Sequence, residues 1–135
     1  MKRAFLDASV LVEACLLQSG KFEAADALIK RPNVTSSHAL AEAYATLSGD
    51  KRLRIKAHDA AQMVLDCAGK LTVADLGLRR LEDLLSVAPS RGVTGGLFYD
   101  AMHAEVARRE GCAVIRTLNV SHFRHVAPDL EVVAL

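Results

Sequence analysis

The fold class is decided near the N-terminus, by the stretch Ala4-Phe5-Leu6-Asp7-Ala8-Ser9-Val10-Leu11. Residues 4–6 form a short apolar run that ends at a charged residue, which is typical of a buried strand. Apolar residues then recur at helical spacing from Ser9 to Leu17, and Ser19-Gly20 ends that helix. A buried strand that leads directly into a helix is the repeating unit of α/β proteins.

The same unit recurs along the rest of the chain. Further short apolar segments predict strands at Val34-Thr35, Leu71-Thr72-Val73, Ala113-Val114-Ile115 and Leu130 to Val133. Helical periodicity predicts helices at Phe22 to Ile29, Ser37 to about Leu47, Ala57 to Ala68, Leu78 to Val87 and Leu97 to Arg109, with a short helix or turn at Asn119 to Val126. This alternation predicts a three-layer α/β/α fold with a mostly parallel central sheet. Because the sequence contains no repeat and no linker, we predict one domain over residues 1–135.

Composition and charge exclude several classes of protein. The 135 residues are 51% hydrophobic and 24% charged, which excludes a disordered chain. The net charge of +1 leaves no basic arm, so any contact with nucleic acid depends on local basic clusters. Cys15, Cys67 and Cys112 are too far apart for a zinc knuckle and are interpreted as thiols in a reducing compartment. No apolar run approaches the roughly 18 residues of a membrane span, and Asp7 interrupts any signal-peptide core, so we predict a cytoplasmic protein without a membrane partner.

Acidic residues follow three of the predicted segments at comparable places. Asp7 follows the first strand, Glu42 lies early in the helix after the second strand, and Asp100 lies early in the helix after a glycine-bearing loop. Since ligands of parallel sheets bind at the carboxyl ends of the strands, we expect the three acids to converge there. Like charges repel, and a divalent cation removes that repulsion. Oxygen ligands without cysteine favour Mg²⁺ or Mn²⁺, which could activate water and stabilise charge on a phosphodiester.

Each acid alone has an ordinary structural explanation. Asp7 could cap the following helix, Glu42 could lie on a solvated helix face, and Asp100 could be a first-turn acid favoured by the helix dipole. Only their joint placement favours a metal site.

Four segments of the chain, in order, resemble the motifs of PIN domains, in particular the VapC-like ribonuclease toxins of toxin–antitoxin pairs. They are Phe5–Leu11, Thr35–Glu42, Tyr99–Ala104 and Ile115–Phe123. The resemblance covers essentially the whole chain, and it implies that Asp7, Glu42 and Asp100 are the catalytic, metal-binding acids.

The resemblance implies an endoribonuclease that cleaves RNA with water activated by Mg²⁺ or Mn²⁺. It also implies a cognate antitoxin protein and a homodimer. Ser9, Thr117 and Asn119 would orient ligands or water around the metal. Many relatives carry an acid where this chain has Asn119 or His122, and His122 could at most be a weak ligand. With three carboxylates, one-metal chemistry or a second metal recruited with the substrate phosphate is favoured. A degenerate PIN domain that only binds RNA or protein stays open.

Other constellations are weaker. The densest basic cluster could contact RNA phosphates or be a solvated connector, and consists of Lys51, Arg52, Arg54 and Lys56. His38 and His103 could approach the acids, although a surface or packing role is as plausible for each. A nucleotide-binding protein is disfavoured, because Gly20-Lys21 and Gly69-Lys70 lack the spacing of a phosphate-binding loop.

Overall fold

Five short parallel strands form the centre of the molecule. A computed structural model describes residues 2–135, and its strands are β1 (Ala4–Leu6), β2 (Val34–Ser36), β3 (Thr72–Ala74), β4 (Val114–Thr117) and β5 (Glu131–Ala134). Their order in the sheet is β3-β2-β1-β4-β5, and every neighbouring pair is parallel. The predicted α/β class and parallel sheet are confirmed.

Seven α-helices connect or flank these strands. They are α1 (Ala8–Cys15), α2 (Phe22–Ile29), α3 (Ser37–Gly49), α4 (Ala57–Lys70), α5 (Leu78–Val87), α6 (Leu97–Arg109) and α7 (Val120–Val126), with 3₁₀ turns at Lys51–Leu53 and Pro89–Arg91. Helices α2, α5 and α6 begin and end at the predicted residues. Helix α4 continues through Gly69 and Lys70, where we predicted a turn, because a glycine within the last turn of a helix costs too little to end it.

The two faces of the sheet are covered by different sets of helices. In β1, Ala4 and Leu6 pack against α1, α2, α3 and α4, whereas Phe5 packs on the opposite face with α6 and α7. Successive side chains of a strand point to opposite faces, so three consecutive apolar residues supply both cores. All three residues are buried, as expected for a central strand of a three-layer fold.

The order of the strands places a crevice beside β1. The chain runs outward from β1 through β2 to β3, then returns to the other side of β1 to form β4 and β5. The connections after β1 and β4 therefore lead away from each other. In open α/β sheets ligands bind at such a point, outside the carboxyl ends of the strands. Asp7 directly follows β1, and Thr117 is the last residue of β4.

The three cysteines are free thiols. Cys67 and Cys112 are buried and Cys15 is partly buried. The Sγ atoms of Cys15 on α1 and Cys67 on α4 lie 3.8 Å apart, within reach of a weak thiol hydrogen bond. Among residues 2–135, no helix combines the length and apolar character needed to cross a membrane.

Candidate metal centre

Asp7 is a buried carboxylate that joins β1, α1 and β4. It is the N-cap residue of α1, where Oδ1 accepts the Val10 N–H at 3.3 Å and the Ser9 hydroxyl at 2.5 Å. Its other oxygen, Oδ2, accepts the Thr117 hydroxyl at 2.6 Å. The capping role considered for Asp7 is therefore real. Because Asp7 caps α1 from the end of β1, its carboxylate still lies at the crevice.

Ser9 and Thr117 are themselves held by the backbone that follows β4. Ser9 Oγ accepts the Leu118 N–H at 2.9 Å, and Thr117 Oγ1 accepts the Asn119 N–H at 2.8 Å. Each hydroxyl thus accepts one backbone bond and donates one bond to Asp7. These bonds fix the orientation of the Asp7 carboxylate. The role of Ser9 and Thr117 around a metal ion stays a prediction. The side chain of Asn119 forms no cap bond to α7, and the residue is exposed.

Glu42 lies on α3 and meets two histidines. Its Oε1 is 2.6 Å from His103 Nε2 and 3.2 Å from His38 Nε2. Burial disfavours the charged form of Glu42, but the hydrogen bond and charge of His103, together with the charge of His38, outweigh burial and lower the pKa of this carboxyl. Glu42 is therefore a carboxylate at neutral pH, held by an imidazole from another helix.

Asp100 lies in the first turn of α6 with most of its side chain buried. Its Oδ2 is 3.4 Å from Nδ1 of the exposed His122. Burial raises the pKa of Asp100, His103 and His122 oppose that shift, and the negative charges of Asp7 and Glu42 add to it. Asp100 is therefore close enough to Asp7 and Glu42 for their charges to act on it.

The acids have no strong positive partner. Burial also raises the pKa of Asp7, against hydrogen bonds from Ser9, Thr117 and the Val10 N–H, all of which are neutral donors. Within residues 2–135, the ion-pair partners of Glu42 and Asp100 are histidines, with no lysine or arginine among them. Ser9, Glu42 and Asn119 line an open cleft of about 270 Å³. A buried, oriented carboxylate beside two further acids and a cleft fits a divalent cation.

The tightest group of ligand-type side chains differs from the predicted set. Among residues 2–135, one group has ligand atoms that all lie within 4.8 Å of one another, and it is His38, Glu42 and His103. Asp7 and Asp100 lie outside that group. The site we predicted from the sequence contains only Glu42 of these three. Helical spacing is the sequence pattern that could have indicated this group of His38, Glu42 and His103. His38 precedes Glu42 by one turn, and His103 follows Asp100 by one turn.

The remaining predicted residues occupy the surface. Lys51, Arg52, Arg54 and Lys56 are all exposed on the connection between α3 and α4. The guanidinium of Arg52 forms two hydrogen bonds with the Asp50 carboxylate, so part of the positive charge in this cluster is neutralised locally.

A pair of substitutions separates the two roles of Asp7. Asparagine caps helices as well as aspartate does, whereas alanine costs about 0.5–2 kcal/mol at an N-cap. We expect Asp7→Asn to leave the free energy of unfolding of the metal-free protein unchanged or raised, because it also removes a buried charge, and Asp7→Ala to lower it by about 1 kcal/mol. Urea denaturation in EDTA measures both. Equal stabilities for the two variants would contradict the capping role.

The comparisons with known proteins concern the fold and the family of the chain. A search of curated proteins finds no match. Among solved structures, VapC20 of Mycobacterium tuberculosis, described as a sarcin-ricin loop cleaving toxin, is 18% identical with a TM-score of 0.64, over 83% of this chain and 86% of that one. The PAE2754 protein of Pyrobaculum aerophilum is 23% identical with a TM-score of 0.67, over 98% of this chain and 89% of that one. At these identities both similarities concern the fold. The sequence model of one family, the PIN domain, matches residues 4–128, and because that match spans nearly the whole sequence, the chain belongs to the PIN domain family.

Proposed function

We propose that this protein is an Mg²⁺- or Mn²⁺-dependent endoribonuclease. The observation that carries the proposal is the buried Asp100 of a PIN domain, whose pKa is raised by burial and further by the negative charges of Asp7 and Glu42. Among residues 2–135, the ion-pair partners of Glu42 and Asp100 include no lysine or arginine. A divalent cation would supply the missing positive charge, and it could also activate water for hydrolysis of a phosphodiester.

The side chains of the chain divide the work in this proposal. Asp7, Glu42 and Asp100 would hold the ion, which would activate a water molecule and stabilise charge on the phosphodiester. Ser9 and Thr117 keep Asp7 oriented, and His103 keeps Glu42 oriented. Asn119 lies exposed in the cleft beside Ser9 and Glu42, where its amide can orient water or phosphate.

We infer that the site holds one resident ion. The chain has three carboxylates here, and the positions where relatives often carry a fourth hold Asn119 and His122. An amide or an imidazole neutralises less of the positive charge of a second metal ion than a carboxylate does. A second ion, if the reaction uses one, would arrive with the substrate phosphate.

Cleavage that depends on metal is the direct test of this function. We expect the purified protein to cleave single-stranded or looped RNA in Mg²⁺ or Mn²⁺, and excess EDTA to stop cleavage because water activation requires the cation. Gel analysis of varied RNAs measures this, with Asp7→Asn as the control for contaminating nuclease. Cleavage that continues in EDTA contradicts the metal mechanism. RNA binding without cleavage would favour the degenerate, binding-only alternative.

We further propose a biological role as the toxin of a toxin–antitoxin pair in the cytoplasm, with residues 1–135 as one nuclease domain. The fold similarity to VapC20, itself a toxin, supports this role. The decisive observation is the neighbouring reading frame, which should encode a small protein that binds this chain and blocks RNA cleavage. Co-expression and co-purification of the two test that directly.

A homodimer is the expected assembly. Several large apolar side chains are exposed on the chain, including Leu17, Leu65, Leu78 and Leu85. Burial of such side chains between copies is favourable at about 25 cal/mol per Å² of apolar surface. We expect light scattering at micromolar concentration to give twice the 14.5 kDa mass of the chain. A monomeric mass across that range contradicts the assembly.

A further inference from the structure

Two histidines and one carboxylate form a compact group beside the proposed magnesium site. His38 and Glu42 lie one turn apart on α3, and His103 reaches them from α6. Glu42 Oε1 is 2.6 Å from His103 Nε2 and 3.2 Å from His38 Nε2, and the ligand atoms of all three lie within 4.8 Å of one another. Ligands in a tetrahedral zinc site are about 3.3 Å apart, given metal–ligand distances of about 2.0–2.1 Å. The side chains therefore need to shift by only about an ångström to share one ion.

Among the described residues, the nitrogen of His38 that faces this group has Glu42 as an ion-pair neighbour but forms no hydrogen bond. His38 Nε2 is buried, and within residues 2–135 no group completes a hydrogen bond with it, although Glu42 lies close. Its imidazole ring is held in place by stacking on Tyr99, with ring centroids 4.8 Å apart. A buried nitrogen without a hydrogen bond costs free energy, and coordination to a metal ion would satisfy it.

His103 is arranged as metal-binding histidines usually are. Its ring is almost completely buried, and the nitrogen that faces away from Glu42, Nδ1, lies 3.2 Å from the Ser36 hydroxyl oxygen. Ser36 Oγ already accepts the Ala39 N–H and retains a second lone pair for a proton on Nδ1. Without metal, Nε2 carries the proton that it donates to Glu42. When an ion binds, that proton can be replaced by one on Nδ1, which the Ser36 oxygen accepts, and Nε2 is then free for the metal.

We propose that His38, Glu42 and His103 form a binding site for a transition metal ion such as Zn²⁺, with an open fourth position. Two imidazoles and one carboxylate suit zinc and its neighbours, whereas Mg²⁺ prefers oxygen ligands. The ion can enter through a groove of about 420 Å³ that His38 and His103 line together with Asp75. The site is distinct from the magnesium site in two of its three ligands.

The shared Glu42 gives this site a consequence for the reaction. A Zn²⁺ ion bound by the two histidines withdraws Glu42 from Asp7 and Asp100, so the transition metal and the hard cation compete for one carboxylate. Zn²⁺ should therefore inhibit RNA cleavage supported by Mg²⁺. This consequence rests on the proposed nuclease function, whereas the binding of the ion does not.

The metal alone is the probe for the site itself. Titration of the untagged protein with Co²⁺ should produce the intense visible absorption of a four-coordinate cobalt ion, saturating at one ion per chain, and Zn²⁺ should displace it. His38→Gln removes a proposed ligand and should weaken Co²⁺ binding by at least about 100-fold. His58→Gln, which removes an exposed histidine of α4, is the matched control and should titrate like the wild type. The comparison uses His38 because replacing the buried His103 would also disturb the packing of the core.

A second variant separates the two metal sites. Asp100→Asn should lose stabilisation by Mg²⁺ and keep the Co²⁺ spectrum. The proposal is overturned if Co²⁺ gives no four-coordinate spectrum, or if His38→Gln titrates like the wild type. Loss of the spectrum in Asp100→Asn would show that cobalt occupies the magnesium site and would also overturn it. Cobalt binding without RNA cleavage would instead remove the nuclease function and leave this site intact.

Discussion

Replacing Asp100 by asparagine is expected to abolish RNA cleavage while leaving the metal-free protein at least as stable as the wild type. Asp100 is mostly buried, and its pKa is raised by burial and by the charges of Asp7 and Glu42. Neutralising it removes that repulsion and removes a proposed ligand. Loss of a residue that merely supports a metal ligand costs about 10–100-fold in activity or affinity, so loss of the ligand itself should cost at least about 100-fold.

Thermal or urea unfolding with and without Mg²⁺ measures both effects. A ligand that binds only the folded state stabilises by RT ln(1 + [L]/Kd), about 2.7 kcal/mol at a hundredfold excess over Kd. If Kd rises about 100-fold, the same Mg²⁺ concentration stabilises Asp100→Asn by only about 0.4 kcal/mol. Cleavage should fall in parallel.

The pH dependence gives this prediction a sign. The pKa of Asp100 is higher in the folded state than its usual 3.8, so the folded protein binds the proton more tightly than the unfolded chain does. The destabilisation by Asp100 is absent below pH 3.8, grows as the pH rises through the folded pKa, and is complete above it. In EDTA, Asp100→Asn should therefore have no advantage in free energy of unfolding over the wild type below pH 3.8. The advantage should grow as the pH rises through the folded pKa of Asp100.

An opposite result would identify Asp100 as a structural residue. If Asp100 mainly stabilised the N-terminus of α6, its neutralisation would cost about 0.3–1 kcal/mol in the metal-free protein. A less stable Asp100→Asn with an undiminished Mg²⁺ effect would remove Asp100 from the proposed site.

Replacing His122 by aspartate is expected to strengthen metal binding. His122 Nδ1 lies 3.4 Å from Asp100 Oδ2, so residue 122 is positioned to add a fourth carboxylate to the site. Charges about 4 Å apart interact by about 4 kcal/mol at the effective dielectric constant of a protein surface, and part of this is lost to the repulsion of Asp100. A gain of about tenfold in Mn²⁺ affinity is equivalent to 1.4 kcal/mol and is a reasonable net expectation.

Calorimetry with Mn²⁺ tests this change against a matched control. His125→Asp makes the same change of charge on the same helix, but His125 lines a different cavity, with Arg108 and Asp129. We expect tighter Mn²⁺ binding in His122→Asp and unchanged binding in His125→Asp. Equal gains in Mn²⁺ affinity for both variants would mean that the change in net charge alone explains the gain. An unchanged or weaker affinity in His122→Asp would show that residue 122 does not face the ion.

The fold was predictable because its signals are local. Residues 4–6 are apolar on both faces of a strand and end at a cap residue, and helices α2, α5 and α6 have clear periodicity between breaks. Errors occurred at helix ends, where the sequence contains competing signals. Gly69 was interpreted as a stop, although the helical hydrogen bonds continue through it to Lys70.

The candidate site was predictable only in outline. Asp7 directly follows β1 and Thr117 ends β4, and because these strands are neighbours in the sheet, the strand order brings the two residues together. The pairing of Glu42 with His103 could not be derived in the same way, because it depends on the rotation of α6 relative to α3. Periodicity places His103 one turn from Asp100, but the direction in which both side chains point is a property of the packed helices.

The hydrogen bond between Asp7 and Thr117 joins residues 110 positions apart, and β1 pairs with β4 over the same distance in sequence. The ribosome synthesises β1 first, but the crevice beside β1 is complete only after β4 has paired with it. A nascent chain that stops before β4 therefore lacks Thr117 and the strand that carries it. Domains fold as units during synthesis. The crevice therefore forms only after β4 has been synthesised, and the proposed RNA cleavage would require a chain that extends at least through Thr117.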